Sequence, residues 1–355
     1  MLGPVARLRS ILSQKALEAL VISQGENIRY LSSFTSADGT LLITQERALL
    51  ATDFRYYEQV RLQAPSFELI EVEKPLPEVL AGVVADLGIK RLGFEAHALT
   101  VETYEQWKGA LPHLEWVPTT ALVEGLRQIK DDQELAAIEQ AVRIADEALA
   151  QVMDWIRPGM TEREISWEVE TIMRTHGAEG LSFPSIVASG PNGAMAHAVT
   201  SERRVQVGEP LVIDMGAVYN GYCSDLTRSF CLGQASDEYR AIWDTVLQAQ
   251  HAAEQAIVPG MSGVEADAVA RRAIYGAGYE GKFGHGLGHG VGLAVHEGPR
   301  ASFRSQDTLQ PGMVLTVEPG IYIPTWGGVR IEDMVVVTPE GCRILTQAAK
   351  VPVIG

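Results

Sequence analysis

Residues 156–164 read Ile156-Arg157-Pro158-Gly159-Met160-Thr161-Glu162-Arg163-Glu164, and residues 257–265 read Ile257-Val258-Pro259-Gly260-Met261-Ser262-Gly263-Val264-Glu265. In each, Pro-Gly closes one helix, and a hydroxyl residue with a glutamate three places later opens the next. A hydrophobic helix follows each, then a glycine-rich segment containing histidine. Further on, Gly208-Glu209-Pro210-Leu211-Val212-Ile213-Asp214 and Pro311-Gly312-Met313-Val314-Leu315-Thr316-Val317-Glu318 both turn into an apolar strand that ends in an acid. The same features in the same order predict a duplicated helix–helix–strand unit. Duplication brings the two equivalent acids, Asp214 and Glu318, towards one shared centre.

Around those acids lie three stretches suited to chemistry. In residues 212–230, VIDMGAVYNGYCSDLTRSF, Asn220-Gly221 is a hairpin signal, because the favoured tight turn needs positive φ at both central positions. A turn centred there sets Val218 opposite Cys223, Gly216 opposite Asp225 and Asp214 opposite Thr227. Asp214 and Asp225 become diagonal neighbours about 7–8 Å apart, a spacing at which two carboxylates repel unless a cation or a proton intervenes. Residues 314–337, VLTVEPGIYIPTWGGVRIEDMVVV, predict two apolar strands with Glu318 late in the first and Glu332 inside the second. An acid inside so apolar a run is costly unless it is paired or metal-bound. Arg330 shares its face at strand spacing and is one candidate partner.

The third stretch, residues 284–297, is GHGLGHGVGLAVHE. Its glycines disfavour a helix. In extended geometry His285 and His289 stand about 13 Å apart, so they do not share one ion. Asp214, Asp225, Glu318 and Glu332 with His289 make four carboxylates and one imidazole. Two divalent cations with bridging carboxylates and a bridging hydroxide bring that charge close to neutral. The oxygen-rich, thiol-free donor set suits Mn²⁺ or Co²⁺, admits Zn²⁺, and argues against a structural zinc site.

The remaining chain reads as support. A helix is expected over residues 1–20, from Val5, Leu8, Ile11, Leu12, Ala16 and Leu20. Strands at 19–23, 40–43, 48–52 and 90–95 alternate with helical patterns such as 101–110, which predicts an α/β unit serving as scaffold, oligomer contact or wall of a site. His97 and His113 stand alone there and read as packing or surface residues. The charged run 127–134 leads into a long helix over about 132–156, capped by Asp131 or Asp132. We place the domain boundary there, giving an N-terminal domain at 1–126 and a catalytic domain at 127–355.

The 355 residues carry a formal net charge of −16, which argues against nucleic-acid binding. No apolar run reaches membrane-spanning length, and the N-terminus reads as neither signal peptide nor anchor. Cys223, Cys231 and Cys342 form no CxxC pair and read as reduced thiols of a cytoplasmic protein.

GHGLGHGVGLAVHE, the aspartates of DMGAVYNGYCSDLTR, the EPGIY segment and the VRIED segment together resemble the creatinase/aminopeptidase P/prolidase family. Residues 51–59 are similar, more weakly, to that family's smaller N-terminal domain. The resemblance implies an α+β fold, with a duplicated pita-bread catalytic domain behind an α/β creatinase-type domain. It implies that Asp214 and Asp225 hold one metal ion, that His289 and Glu318 hold the other, and that Asp225 and Glu332 bridge them. His197, His285 and His296 match the histidines around the metals, and Arg330 matches an arginine near the bridging acid. Glu318 is then the group that moves a proton from nucleophile to leaving nitrogen. His296 and His197 are donors to the developing oxyanion or to the proline side.

The implied activity is hydrolysis of the Xaa-Pro bond at the N-terminus of peptides with proline second, by a metal-bridging hydroxide in a homodimer. Xaa-Pro dipeptidase activity is the alternative, with Arg300 as a candidate grip for the proline carboxylate. Methionine aminopeptidase, creatinase-type chemistry and a metal-free binding module are remoter, because five ligand positions are filled and the N-terminal half is large.

Overall fold

Pro-Gly and the hydroxyl–glutamate pair build the same corner twice in the computed structural model, which describes residues 3–36 and 38–355. Gly159 and Gly260 adopt positive φ of 88° and 87°, where glycine avoids the strain a side chain brings. Thr161 with Glu164 and Ser262 with Glu265 each form a complete capping box. Matching backbone bonds then dock each corner. Gly159 N–H donates to Val205 O and Gly260 N–H to Leu309 O; Glu162 N–H donates to Arg203 O and Gly263 N–H to Asp307 O. The duplication extends to the acids: Asp214 and Glu318 lie at or just past the end of one strand, and Asp225 and Glu332 immediately precede its antiparallel partner.

The chain divides into two units, Met1–Arg127 and Gln128–Gly355. The first is built on a six-stranded mixed sheet in the order Glu68–Glu71, Ala48–Thr52, Thr40–Thr44, Ala19–Ile22, Arg91–Glu95, Glu115–Thr119. Its central strands are apolar on both faces, as a sheet covered on both sides requires. Leu20, Ile22, Leu41, Ile43 and Leu50 pack on one face with Leu8, Leu12 and Ile28. Ala19, Val21, Leu42 and Leu49 pack on the other with Leu80, Val84 and Trp107. The expected N-terminal helix is shorter than its spacing suggested: it runs Pro4–Gln14, and Ala16 turns to a φ of 51°. Leu20 belongs instead to the first strand, where a buried residue satisfies either pattern. Met1 and Leu2 lie outside the described residues. His97 bonds Gln24 at 2.5 Å rather than standing alone.

In the second unit Asp131 caps the helix Asp132–Trp155, with Glu134 closing the box. One copy then supplies the helix Glu162–Thr175 and a four-stranded sheet that includes Pro210–Met215 and Leu226–Leu232. The other supplies the helices Asp237–Ala256 and Gly263–Gly276 and a five-stranded sheet that includes Gly288–Gly290, Val314–Val317 and Asp333–Thr338. The Asn220-Gly221 turn forms with φ of 47° and 75°, and it sets Val218 opposite Cys223 and Thr227 opposite Asp214, as expected.

The C-terminal expectation needs correction. Glu318 and Glu332 lie outside the strands, at breaks where the chain passes from the five-stranded sheet into the ribbon Gly320–Ile323/Gly327–Arg330. Pro319 has no N–H to continue a ladder. Glu332 N–H turns to Thr227 O of the other copy at 3.1 Å.

The C-terminal segment closes over this join. Arg228 and Lys350 both pair with buried Asp333, at 2.7 and 2.5 Å. Glu254 lies beside them, 3.7 Å from Lys350 Nζ. Burial, reinforced by the charge of Asp333, pushes its carboxyl up to about 8. The folded protein therefore holds a proton there that the unfolded chain releases near pH 4.5. This contribution to stability is whole below pH 4.5 and declines as pH rises towards 8. Glu254→Gln is expected to melt like the parent at pH 4 and several degrees above it at pH 8.5, as read by thermal unfolding across that range.

Candidate metal centre

The four acids converge because each copy delivers one carboxylate from a strand end and one from the residue before the partner strand. Ligand atoms of Asp214, Asp225 and Glu332 all lie within 4.8 Å of one another, and all three residues are buried. His289 is carried by the short strand Gly288–Gly290, which presses against its neighbours. A Cβ on Gly288 would stand 2.0 Å from Thr316 O, and one on Gly290 2.0 Å from Gly298 O. Only glycine on both sides lets the histidine backbone come this close. His289 Nε2 lies 3.4 Å from Glu318 Oε1 and 3.6 Å from Asp225 Oδ2.

Hydrogen bonds define what each group presents. His289 Nδ1 is 3.1 Å from Gly290 O, and a carbonyl only accepts, so Nδ1 carries the proton. Burial holds this imidazole neutral. Nε2 therefore turns a lone pair, not a proton, towards two carboxylates. Burial and the neighbouring acids likewise hold Asp225 and Glu332 protonated far above the usual carboxylate range, and burial raises Glu318. Asp214 Oδ1 is buried with no hydrogen-bond partner. A bare imidazole nitrogen aimed at two acids, an orphaned oxygen of Asp214 and carboxyls whose ionisation burial disfavours are relieved together by cations. The donor set fits divalent metal.

Arg330 brings a cation into this cluster. Arg330 Nη2 donates to Asp214 Oδ2 at 2.5 Å, Nε to Thr227 Oγ1 at 3.0 Å, and Nη1 to Tyr322 Oη at 2.8 Å and Ala196 O at 3.2 Å. Its partner is Asp214, not Glu332, which instead accepts from Thr227 Oγ1 at 2.6 Å. His285 Nδ1 donates to Gly286 O, so Nε2 accepts from the Tyr322 hydroxyl, both at 2.8 Å. The relay runs from Arg330 through Tyr322 and His285 to a backbone carbonyl. Both nitrogens of His285 are thereby engaged, so this histidine holds Tyr322 rather than offering a free group to a ligand.

A cavity of about 470 Å³ gathers every candidate site residue of the sequence: Asp214, Asp225, His289, Glu318, Glu332, His197, His285, His296, Arg330 and Arg300. Its volume suits a small ligand. His197 and His296 are exposed to it, and the His296 ring sits 4.3 Å from that of His289. Sequence reading missed Thr227, Thr316 and Tyr322. Thr316 Oγ1 donates to Glu318 Oε1 at 3.1 Å. A hydroxyl two places from a ligand on one strand face was the available signal for Thr227 and Thr316.

Fold and site define a metal-dependent hydrolase. The chain belongs to metallopeptidase family M24, whose model matches residues 136–339, and it carries a creatinase/prolidase N-terminal domain at residues 4–129. It is 43% identical over 344 residues to an uncharacterized peptidase of Bacillus subtilis, spanning 97% of this chain and 98% of that one. The structure of an Xaa-Pro dipeptidase from Bacillus anthracis matches with a TM-score of 0.97 at 43% identity, covering 99% of both chains. That of an X-Pro aminopeptidase from Thermotoga maritima matches with a TM-score of 0.89 at 38% identity, covering 96% of this chain and 99% of the other. The duplicated α+β architecture is accordingly the pita-bread fold.

Proposed function

We propose that this chain hydrolyses the bond between an N-terminal residue and proline, with Xaa-Pro dipeptides as its best substrates. Two divalent ions, Mn²⁺ or Co²⁺ in preference to Zn²⁺, are held by Asp214, Asp225, His289, Glu318 and Glu332. When bound they supply Lewis acidity and a water acidic enough to react at neutral pH. Glu318 accepts the proton of the attacking water and returns it to the proline nitrogen as the C–N bond breaks. The products are the free residue and proline. His296 and His197 donate to the carbonyl oxygen as negative charge develops there. Arg330 pairs with Asp214 and holds it in place.

The observation that carries the dipeptidase reading is Arg300. It lies opposite His289 in the register of neighbouring strands and lines the cavity. Among the described residues its guanidinium has no carboxylate partner, whereas Arg330 is committed to Asp214. A free cation lining the same cavity as the metal ligands suits the carboxylate of a C-terminal proline. The likeness to an X-Pro aminopeptidase supports a second reading in which longer peptides also enter.

Comparing alanyl-proline with alanyl-prolyl-alanine on the Mn²⁺-loaded enzyme separates the two. The dipeptide should be favoured at least tenfold in kcat/KM, and Arg300→Ala should raise KM for the dipeptide about tenfold without affecting the tripeptide. Equal turnover of both by the parent would remove the carboxylate grip and favour the aminopeptidase reading. A cytoplasmic homodimer joined through the N-terminal unit completes the proposal. No helix among the described residues is long and apolar enough to cross a membrane.

A further inference from the structure

Two buried acids outside the metal centre have a use that the chemistry above does not give them. Glu162 opens the helix Glu162–Thr175 and is fully buried. Its carboxylate accepts from Ser189 N at 2.7 Å, Ser189 Oγ at 2.8 Å, Ser201 N at 3.0 Å and Ser201 Oγ at 2.6 Å. Asn192 Nδ2 adds bonds of 3.1 and 3.2 Å to its two oxygens. One carboxylate thus fastens both ends of the segment 189–201, which carries His197. The imidazole of His197 has no hydrogen-bond partner of its own among the described residues, so its place in the cavity is set by the backbone that Glu162 holds.

The other copy solves the same problem one turn later. Its helix has Gly263 where the first has Glu162, but it carries Asp267, also buried. Asp267 accepts from Leu287 N at 3.0 Å and from Arg271 Nε at 2.7 Å and Nη2 at 2.8 Å. Arg271 donates to Phe283 O and His285 O, both at 2.7 Å. This pair fixes the segment 283–287 and with it His285. A buried carboxylate is costly unless its oxygens are satisfied. Glu162 meets that cost with donors drawn from a histidine-bearing segment, and Asp267 with Leu287 N of the other such segment and with Arg271, which itself donates to that segment.

We propose that Glu162 is the positioning residue of His197, and that Asp267 with Arg271 is the positioning pair of His285. Each copy of the duplicated unit would then place its own histidine from the helix behind it. The proposal rests on the peptidase reading of the cavity, but its first test does not. In the full-length protein without substrate, Glu162→Gln should speed hydrogen exchange of the Ser189 and Ser201 amides at least tenfold and leave Leu287 protected. Asp267→Asn should do the reverse. Unchanged exchange at Ser189 and Ser201 in Glu162→Gln would overturn the proposal whether or not the protein cleaves peptides.

The second test is a double-mutant cycle on alanyl-proline hydrolysis by the Mn²⁺-loaded enzyme. Glu162→Gln should lower kcat about tenfold with little change in KM. The loss should shrink below twofold in a His197→Ala background and persist in full in a His285→Ala background. Equal losses in all three backgrounds would make Glu162 a general stabiliser and sink its link to His197. Should Glu162→Gln fail to fold, Glu162→Asp, which keeps the charge but withdraws it by one methylene, runs the same cycle and the same exchange measurement.

Discussion

Asp225→Asn is expected to lower kcat/KM by on the order of 10³-fold or more, about 4 kcal/mol, and at the same time to stabilise the metal-free protein. The two effects have one cause. Asp225 is fully enclosed and faces Glu332, Asp214 and Glu318, with Arg330 offsetting them in part. In the proposed centre its charge would be needed to hold metal, and an amide oxygen is a far weaker ligand. Without metal, the same charge is a burden, because burial and the neighbouring acids push this carboxyl well above its usual range. Thermal unfolding after chelation should therefore place the variant at or above the parent. With saturating Mn²⁺ the order should reverse, because binding stabilises by mass action and the parent binds more tightly. Metal content by elemental analysis should fall from two ions to at most one. A variant less stable than the parent in both states would mean that Asp225 has a structural role unrelated to metal.

What the sequence disclosed about this centre follows from how local each signal is. Capping boxes and the Asn220-Gly221 turn depend on three or four adjacent residues, and both appear with the expected geometry. The acids were legible because a carboxylate beside an apolar strand is anomalous wherever it falls. Arg330 shows the opposite case. Strand spacing suggested Glu332 as its partner, but the chain breaks between them, and the guanidinium turns to Asp214, which is 116 residues away in sequence. Tyr322 was invisible for the same reason: its hydroxyl acts on His285, 37 residues earlier, and nothing adjacent to it is unusual. Leu20 marks the limit of periodicity. A residue buried in a strand can complete a helical pattern by accident, and the conformation of Ala16 that ends the helix has no glycine to announce it.

Arg330 is also where substitution should cost the metal-free fold most. Arg330→Met leaves Asp214 as a buried carboxylate without a counter-charge, a change worth about 3–5 kcal/mol. Chemical denaturation of the chelated protein measures it, and added Mn²⁺ should recover part of the loss, since the ions take over the neutralisation of Asp214. Arg330→Lys discriminates between charge and geometry. An ammonium restores the charge, but it has no planar fork with which to reach Asp214, Thr227, Tyr322 and Ala196 O together. If charge alone matters, the lysine variant should keep both stability and turnover. We expect it to recover most of the stability and little of the turnover, with kcat staying within about threefold of Arg330→Met. Tyr322 would lose the donor that orients its hydroxyl towards His285, and the segment bearing His197 would lose its bond through Ala196 O. A lysine variant with more than half the parental kcat would show that the fork is dispensable. The Arg330–Tyr322–His285 relay would then be a consequence of packing, and not a part of how this centre is held.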